Sequence, residues 1–392
     1  RRQRQMCIRD RSRTILRVKR AGQWFLWEPF SRHCRNLYEV SLNLYKNVYG
    51  TKLMFEEVNK DLDLTFRYTW MPSNRFGFVK HSELWNMGRE ATSVDVLDGL
   101  ENILPWGVEE FFQNHFSCLG DAYKDNALVG ETGLATYAFS SIPGDSPEPA
   151  EALRATICWS TCPAVATSLL SSLQLEAFRY GGEVETESRV CGRRGAYFVR
   201  QSVELPPDEQ RDWLLVADLE YGLCEIADLK QAFASGADLM SQVLDDVEEG
   251  TRRLTALVAR ADGLQTTGDR LGSAHHFANV LFNVMRGGVF ESSYSIPVAD
   301  LENYVRAFSR ETWARHEGFL NGLGDEIELD RLLEEVRAVG DPALLRLVSE
   351  YLPISFSRRH GDPSRPWNQF SINVKNRDGS KILDYQGNWR DI

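Results

Sequence analysis

The sequence has no apolar run close to the ~20 residues that a membrane-spanning helix needs, and it has no excess of basic residues. Lys and Arg number 45 against 56 Asp and Glu, which gives 392 residues a formal net charge of −11. Nucleic acids and anionic membranes bind basic surfaces, so we expect neither as a partner. The 7 cysteines are scattered, and the close pair Cys158 and Cys162 has no second Cys or His pair beside it. This spacing favours free buried thiols and a reducing, cytoplasmic location.

Motifs for phosphate cradles, nucleophile elbows and metal sites are also missing. The glycines near Gly272 and Gly287 lack the GxGxxG or GxxxxGK spacing, and neither GxSxG nor HExxH occurs. His275 and His276 are adjacent, and adjacent residues of a helix point about 100° apart, so they rarely share one ion. We therefore predict no metal and no organic cofactor.

The two ends of the chain are unusual. Residues 1–13 carry six Arg and one Asp and are followed by no apolar signal-peptide core. They are either a disordered basic tail or a non-native segment, because MCIRDRS resembles translated adaptor read-through at the ends of metagenome-derived sequences. We exclude them from fold reasoning. The last residues, GNWRDI, read as the opening of a helix, so we expect a chain truncated at both ends.

Alternation with a period of two predicts strands from about residue 60 to 225. In residues 62–70, apolar side chains alternate with Asp63, Thr65, Arg67 and Thr69. Further short runs are predicted at 76–80, 134–140, 152–159, 183–190, 196–203 and 213–219, and aromatic residues in 24–59 suggest additional strands. Many short strands between Gly, Pro, Asp and Ser clusters are typical of an antiparallel β-sandwich.

After about residue 226 the apolar period becomes helical. Stripes run through 240–258, 277–285 and 301–308. Asp341 before Pro342 is typical of a helix N-cap. We predict an α+β multidomain chain, with a β-sandwich over 14–230, a helical linker over 231–340 and a third region from 341 to 392.

The densest polar segment lies at 355–368, where two prolines and a glycine indicate a loop. Guanidinium, carboxylate and indole groups together suit a hydroxyl-rich ligand, because charged groups bind hydroxyls and an indole covers apolar C–H edges. The alternative is a structural loop held by Arg–Asp pairing. The candidate binding residues of this loop are Arg358, Arg359, His360, Asp362, Arg365 and Trp367.

A second candidate is the run Trp389, Arg390 and Asp391. It either presents a positioned carboxylate to a ligand or places an acid at a helix N-terminus, where capping and the helix dipole favour one. Tyr68 and Trp70 offer a third possibility, a sugar-binding sheet face, against the simpler interpretation that their stripe faces the core.

The segment 387–392, GNWRDI, resembles the Gly-aromatic-Arg-Asp segment of inverting disaccharide phosphorylases such as cellobiose phosphorylase. These enzymes belong to the wider six-hairpin, glucoamylase-like glycosidase group. The order of parts is similar too, which implies an N-terminal β-sandwich, a helical linker and the start of an (α/α)6 barrel over 341–392. Residues 68–70 and 74–78 also look like the sandwich portion of such proteins.

The resemblance implies that Arg390 and Asp391 bind the sugar at the −1 subsite. It places the general acid well downstream of this pair, so we expect no catalytic residue in this chain and no activity from it alone. The implied function is that of a fragment of a glycoside phosphorylase or hydrolase acting on a disaccharide or oligosaccharide, with inorganic phosphate as an optional co-substrate. The alternative is a non-catalytic carbohydrate-binding or assembly protein, and a homodimer stays open.

Overall fold

The structure is a computed structural model, and it describes residues 12–32, 34, 36–108, 110–141, 153–162, 167–260, 264, 267–285, 295–349, 351, 369–375 and 381–388. The chain divides into two compact units, Arg1–Arg253 and Leu254–Ile392. The division falls within a helix, after the sandwich boundary at 230 that the sequence suggests. Each unit is described by itself below.

Two antiparallel sheets build the first unit. The smaller has the order β11-β13-β7-β1-β2, and its strands are β1 (Ser12–Arg20), β2 (Gln23–Trp27), β7 (Thr92–Ile103), β11 (Thr167–Leu169) and β13 (Gly195–Leu205). Its first strand includes Ser12 and Arg13, which the sequence analysis assigned to the tail. Arg13 forms an ion pair of 3.5 Å with Glu101 of β7, so the folded chain begins earlier than residue 14.

The larger sheet has nine strands in the order β12-β8-β9-β10-β14-β6-β5-β4-β3. They are β3 (Val40–Lys46), β4 (Leu53–Asn59), β5 (Leu64–Ser73), β6 (Gly77–Asn86), β8 (Lys124–Leu128), β9 (Ala135–Phe139), β10 (Ala155–Ser160), β12 (Arg189–Cys191) and β14 (Gln210–Tyr221). The sequence predicts a strand over 183–190, but the strand there, β12, begins only at Arg189. Residues 182–187 form no β-ladder.

The two sheets pack face to face around one apolar core. Phe66 and Leu84 of the larger sheet and Leu16 and Val96 of the smaller sheet belong to the same buried cluster. The alternation read in residues 62–70 is the cause, because it puts every second side chain on the inner face. The predicted antiparallel β-sandwich is confirmed.

Helices cover part of each outer face. On the larger sheet, α4 (Leu223–Ala234) and α5 (Leu239–Arg260) pack on a second apolar cluster that includes Val79, Leu214, Val243 and Val247. On the smaller sheet, α3 (Leu175–Arg179) closes a cluster around Phe198. Two short helices, α1 (Glu110–His115) and α2 (Ser117–Ala122), follow β7.

The second unit is mainly helical. Its helices are α6 (Arg270–Met285), α7 (Val298–Phe308), α8 (Arg310–Asn321) and α9 (Leu329–Val339), and a last described helix covers 342–349. A short ribbon pairs β15 (Ser295–Pro297) with β16 (Glu326–Glu328). Residues of α7 to α9 and the last helix share one buried apolar cluster.

The predicted N-cap at Asp341 is present in the second unit. The backbone N–H of Ala343 donates to Asp341 Oδ1 at 2.8 Å, and His316 Nε2 lies 2.7 Å from Asp341 Oδ2. These hydrogen bonds hold the pKa of Asp341 well below its ordinary value. The helix therefore begins where the Asp-Pro pair predicts.

Near the chain end, β17 (Gln369–Lys375) and β18 (Lys381–Asn388) form an antiparallel hairpin. Gly387 and Asn388 end β18, so this part of GNWRDI is a strand and not the start of the helix predicted there. In the residues that the structure describes, no helix is both long and apolar enough to cross a membrane.

Candidate functional site

The predicted sugar-binding residues belong to two segments near the end of the chain. All of them lie outside the described residues, in the gaps at 352–368 and 389–392. They are Arg358, Arg359, His360, Asp362, Arg365, Trp367, Trp389, Arg390 and Asp391. Their roles stay predictions, and the site that can be built from geometry is in the sandwich unit.

The sequence stripe with Tyr68 and Trp70 faces inward. The Tyr68 ring stacks on Phe55 with centroids 4.9 Å apart, and both Tyr68 and Trp70 pack against the central core. Lys80 Nζ lies 5.1 Å from the Tyr68 ring centroid. Of the two readings of this stripe, the structure supports the core face, so it offers no sugar-binding surface there.

Inside the sandwich, one buried carboxylate joins the two sheets. Asp98 Oδ1 accepts hydrogen bonds from Lys80 Nζ at 2.5 Å and Thr14 Oγ1 at 2.6 Å. Its Oδ2 accepts from Ser82 Oγ and Trp213 Nε1, each at 2.8 Å. Lys80 is 0% and Asp98 1% exposed. We name these five residues the interior network.

Burial lowers the pKa of Lys80 from its ordinary value, and the charge and hydrogen bond of Asp98 oppose that shift. Taking two charges out of water costs several kcal/mol per ion, so each needs the other. Because Asp98 is saturated with donors and no solvent reaches it, the interior network can hold the sheets together but cannot bind a ligand.

The outer face of the larger sheet carries a second polar arrangement, on the part next to the edge strand β3. Strand register places five polar residues directly opposite one another across β3, β4, β5, β6 and β14. Cross-strand partners project from the same face of a sheet. We call these residues the open polar row: Asn43, Glu56, Arg67, Glu83 and Asp212.

Glu56 is the anchor of the open polar row. Asn43 Nδ2 donates to Glu56 Oε1 at 2.8 Å, the Tyr45 hydroxyl lies 3.3 Å from the same oxygen, and Arg67 Nε donates to Oε2. Burial opposes ionisation of Glu56, but these hydrogen bonds outweigh it and lower its pKa. Glu56 is therefore an anion with a fixed position at neutral pH.

Aromatic residues flank the open polar row on both sides. Trp85 follows Glu83 by two residues, and the Arg67 guanidinium lies 5.2 Å from its ring centroid. Tyr45 follows Asn43 by two residues and is 47% exposed. Residues two apart on a strand share a face, so the row lies between two aromatic side chains.

The far end of the row combines a fixed acid with a free one. His81 Nε2 lies 2.8 Å from Asp212 Oδ2. Among the described residues, Glu83 has no hydrogen-bond or ion-pair partner, although it lies between Arg67 and Asp212 in the register. The indole N–H of Trp85 has none there either. The Glu83 carboxylate, a hydrogen-bond acceptor, and the Trp85 N–H, a donor, thus lie on the same outer face of the sheet without a described partner.

No group of three metal-ligating side chains occurs among the residues whose placement is described. Of the cysteines there, Cys34 and Cys158 are buried while Cys118, Cys191 and Cys224 are exposed, and all are free thiols. Burial raises the pKa of Cys162 to about 12, so this thiol is no nucleophile at neutral pH. The described part of the chain therefore offers the open polar row as its candidate binding surface.

Sequence reasoning missed the open polar row. Its five members come from five strands, and no local spacing shows that they are neighbours. One signal was available in β6, where Trp85 falls on the polar side of the alternation that puts Leu84 in the core. A large aromatic residue among polar ones on the outer face of a strand is a reason to look for a ligand.

Comparisons with known proteins address the second unit first. Residues 290–353 match the family model described as glycoside hydrolase family 149 insertion domain 1. Helices α7, α8 and α9 and most of their shared core lie within this range. Comparison with the curated proteins gives no match.

Three solved structures illustrate what the fold is similar to. A protein described as a kojibiose phosphorylase from human microbiome is 8% identical, with a TM-score of 0.40 over 75% of this chain and 35% of its own. A bacterial glucoamylase complexed with acarbose is 10% identical, with a TM-score of 0.39 over 84% and 45%. Heparinase III is 11% identical, with a TM-score of 0.25 over 53% and 23%.

The chain thus spans less than half the length of each of these structures. At these TM-scores the similarities carry no argument, and the match of residues 290–353 to a family model is the finding used below. That match confirms the resemblance read from the sequence. Residues 290–353 are similar to a glycoside hydrolase family 149 insertion domain, which agrees with the glycosidase-type resemblance of the sequence.

Proposed function

We propose that this chain supplies the sandwich, the helical insertion and part of the sugar-binding site of a glycoside phosphorylase or glycoside hydrolase. The observation that carries the proposal is the match of residues 290–353 to an insertion domain of a glycoside hydrolase family. The GNWRDI segment, at 387–392, supports it through its resemblance to a segment of inverting disaccharide phosphorylases. The substrate class is a disaccharide or oligosaccharide.

The proposed chemistry is inversion at the anomeric carbon. An inverting hydrolase places a protonated carboxylic acid at the leaving oxygen and a carboxylate base beside water on the opposite face, ~6.5–9.5 Å apart. A phosphorylase replaces this water with inorganic phosphate, so it needs a cationic or hydroxyl-lined phosphate pocket instead of the base. Both reactions hold the sugar at the −1 subsite in the same way.

In this proposal Asp391 accepts hydrogen bonds from sugar hydroxyls, and Arg390 orients either Asp391 or the sugar. Contacts that strengthen as the ring distorts toward the transition state would raise the rate. The loop at 358–367 is a second group of sugar ligands, with Trp367 covering a C–H face. The region 341–392 would begin the (α/α)6 barrel. The resemblance assigns no general acid to residues 1–392, so we propose sugar binding without turnover.

The test is sugar binding by the chain and by its Asp391→Asn variant. We expect calorimetric titration with glucose and with glucose disaccharides to show that the variant binds at least tenfold more weakly, because a carboxylate accepts several hydroxyl hydrogen bonds. Asp245→Asn, an exposed acid on α5, is the matched control and should bind like the parent chain.

Two results would contradict this proposal. Unchanged sugar affinity together with a lower melting temperature would make Asp391 a helix cap. Release of sugar or sugar phosphate from a disaccharide by the unmodified chain, with or without inorganic phosphate, would show that residues 1–392 already contain the general acid.

A further inference from the structure

We propose that the open polar row, with Trp85 and Tyr45 beside it, binds a neutral saccharide chain of several units through residues other than those proposed for the −1 subsite. This inference does not depend on the assignment of Arg390 and Asp391. It assigns a ligand to a described part of the sandwich surface where fixed charges, free hydrogen-bonding groups and aromatic rings lie together.

The shape of the row fits an extended ligand. Five neighbouring strands ~4.8 Å apart make the row about 19 Å long, which exceeds the length of a single sugar. The floor is rigid, since the β4, β5, β6 and β14 ladders are continuous at these positions. Helix α5 packs on the same face, where Lys52 pairs with Glu248 and Thr51 Oγ1 lies 3.2 Å from Thr251 Oγ1.

The groups along the row match the two kinds of surface that a sugar presents. Hydroxyl groups need charged or polar partners whose positions are already fixed, and the hydrogen bonds of Asn43 and Arg67 to Glu56 fix those side chains. The apolar C–H face of a sugar needs an aromatic ring. Trp85 and the half-exposed Tyr45 supply rings on either side.

The charge of the row selects a neutral ligand. Glu56, Glu83 and Asp212 provide three carboxylates against the single guanidinium of Arg67, whose Nε is already used by Glu56. A phosphate, a nucleic acid or an acidic polysaccharide would face net negative charge. A bound metal ion lacks its ligand set in the described part of the chain. With anions and metal ions disfavoured, the ligand that fits is a neutral molecule with many hydrogen-bond donors and acceptors.

Free hydrogen-bonding groups give this surface the capacity to bind hydroxyl groups directly. Within the part of the chain that is described, the Glu83 carboxylate and the Trp85 N–H have no protein partner, while the rest of the row is paired. One accepts and the other donates, which suits hydroxyl groups because each hydroxyl can do both. Nothing in the interior network offers such free capacity.

The experiment measures binding of gluco-oligosaccharides of two to six units, with β-1,3, β-1,4 and α-1,4 linkages, to the chain and three variants. We expect affinity to rise with length for at least one linkage. Glu83→Gln and Trp85→Ala should each weaken binding of the longest oligosaccharide by about tenfold, equivalent to ~1.4 kcal/mol. Their binding of glucose should be unchanged.

Trp24→Ala is the matched control, because Trp24 also lies on an outer sheet face, is 45% exposed and has a guanidinium, that of Arg17, 4.9 Å from its ring centroid. This variant should bind like the parent. An equal loss in Trp24→Ala and Trp85→Ala would overturn the proposed location, and so would unchanged affinity in Glu83→Gln. Absence of binding by every neutral chain would overturn the ligand class.

The design keeps this inference distinct from the proposed function. Asp391→Asn should weaken binding of short sugars and leave the length-dependent gain, whereas the row variants should do the reverse. If Trp85→Ala fails to fold, Glu83→Gln decides alone, since no described contact holds Glu83 in place. An acidic oligogalacturonate of matched length is the charge control, and binding of it but of no neutral chain would contradict the electrostatic argument.

Discussion

The interior network and the open polar row are both cross-strand acid–base arrangements in one sandwich, yet they have different surroundings. In the interior network, Lys80 and Asp98 are enclosed between the sheets and Asp98 has four donors. In the open polar row, Glu56 accepts hydrogen bonds from three side chains, those of Asn43, Tyr45 and Arg67, but Glu83 has no described partner. The interior network therefore stabilises the fold, whereas the open polar row still has a free group for a ligand.

The comparison also explains why the two surfaces of the larger sheet differ. A charged group on the inner face needs a partner, because an unpaired charge there costs several kcal/mol. The outer face near β3 is less covered, and water can satisfy an unpaired carboxylate until a ligand replaces it. An unpaired carboxylate can therefore persist on the outer face more readily than on the inner one.

The largest effect is expected from Asp98→Ala. It leaves the Lys80 ammonium and three neutral donors buried without an acceptor, so we expect the free energy of unfolding to fall by about 3–5 kcal/mol. Urea denaturation followed by tryptophan fluorescence measures it. Lys80→Met should cost less, because Asp98 then keeps Thr14, Ser82 and Trp213 as donors. A loss below ~1 kcal/mol in Asp98→Ala would show that the interior network does not stabilise the sandwich.

The sequence was a good guide to local structure, for a physical reason. Alternation in residues 62–70 and Asp341 before Pro342 are signals carried by neighbouring residues, and the structure shows the strand and the cap. The sequence reasoning failed where pairing partners lie far apart. Glu56 and Asp212 share one row only because β14 pairs with β6, and no pattern in either strand reveals that pairing.

In the interior network, too, the sequence does not show which distant residues pair, although it gives one hint. In β6, Lys80 and Ser82 fall on the side of the alternation that carries Leu84, so the sequence does flag two polar residues at core positions. It cannot name Asp98 as their partner, because that carboxylate comes from the opposite sheet. The proposed −1 subsite is different again, since Arg390 and Asp391 were found by resemblance alone.

A medium effect is expected from Glu56→Gln. The amide keeps an oxygen for Asn43 but loses the charge opposite Arg67, so we expect a loss of about 1 kcal/mol at pH 7. The folded-state pKa of Glu56 lies below its ordinary value of 4.5. Its stabilisation is therefore complete above pH 4.5 and disappears as the pH falls through the folded-state value.

Melting temperatures of the parent and Glu56→Gln from pH 7 down to pH 3 check that dependence. The gap between the two should be widest at neutral pH and should narrow below pH 4.5. A gap that is constant over the whole range would mean that the charge of Glu56 contributes nothing, and the comparison between the two networks would lose its electrostatic basis.

The smallest effect is expected from Glu83→Gln. Because no described residue pairs with the Glu83 carboxylate, neutralising it removes no interaction, and the free energy of unfolding should change by no more than about 0.5 kcal/mol. Urea denaturation at pH 7 measures this change beside that of Glu56→Gln. A loss of more than 1 kcal/mol would assign Glu83 a structural role like that of Glu56. If Glu83 binds the ligand, Glu83→Gln weakens oligosaccharide binding and leaves the free energy of unfolding unchanged. A residue that only stabilises the sheet cannot produce this result, because its loss would lower the free energy of unfolding as well.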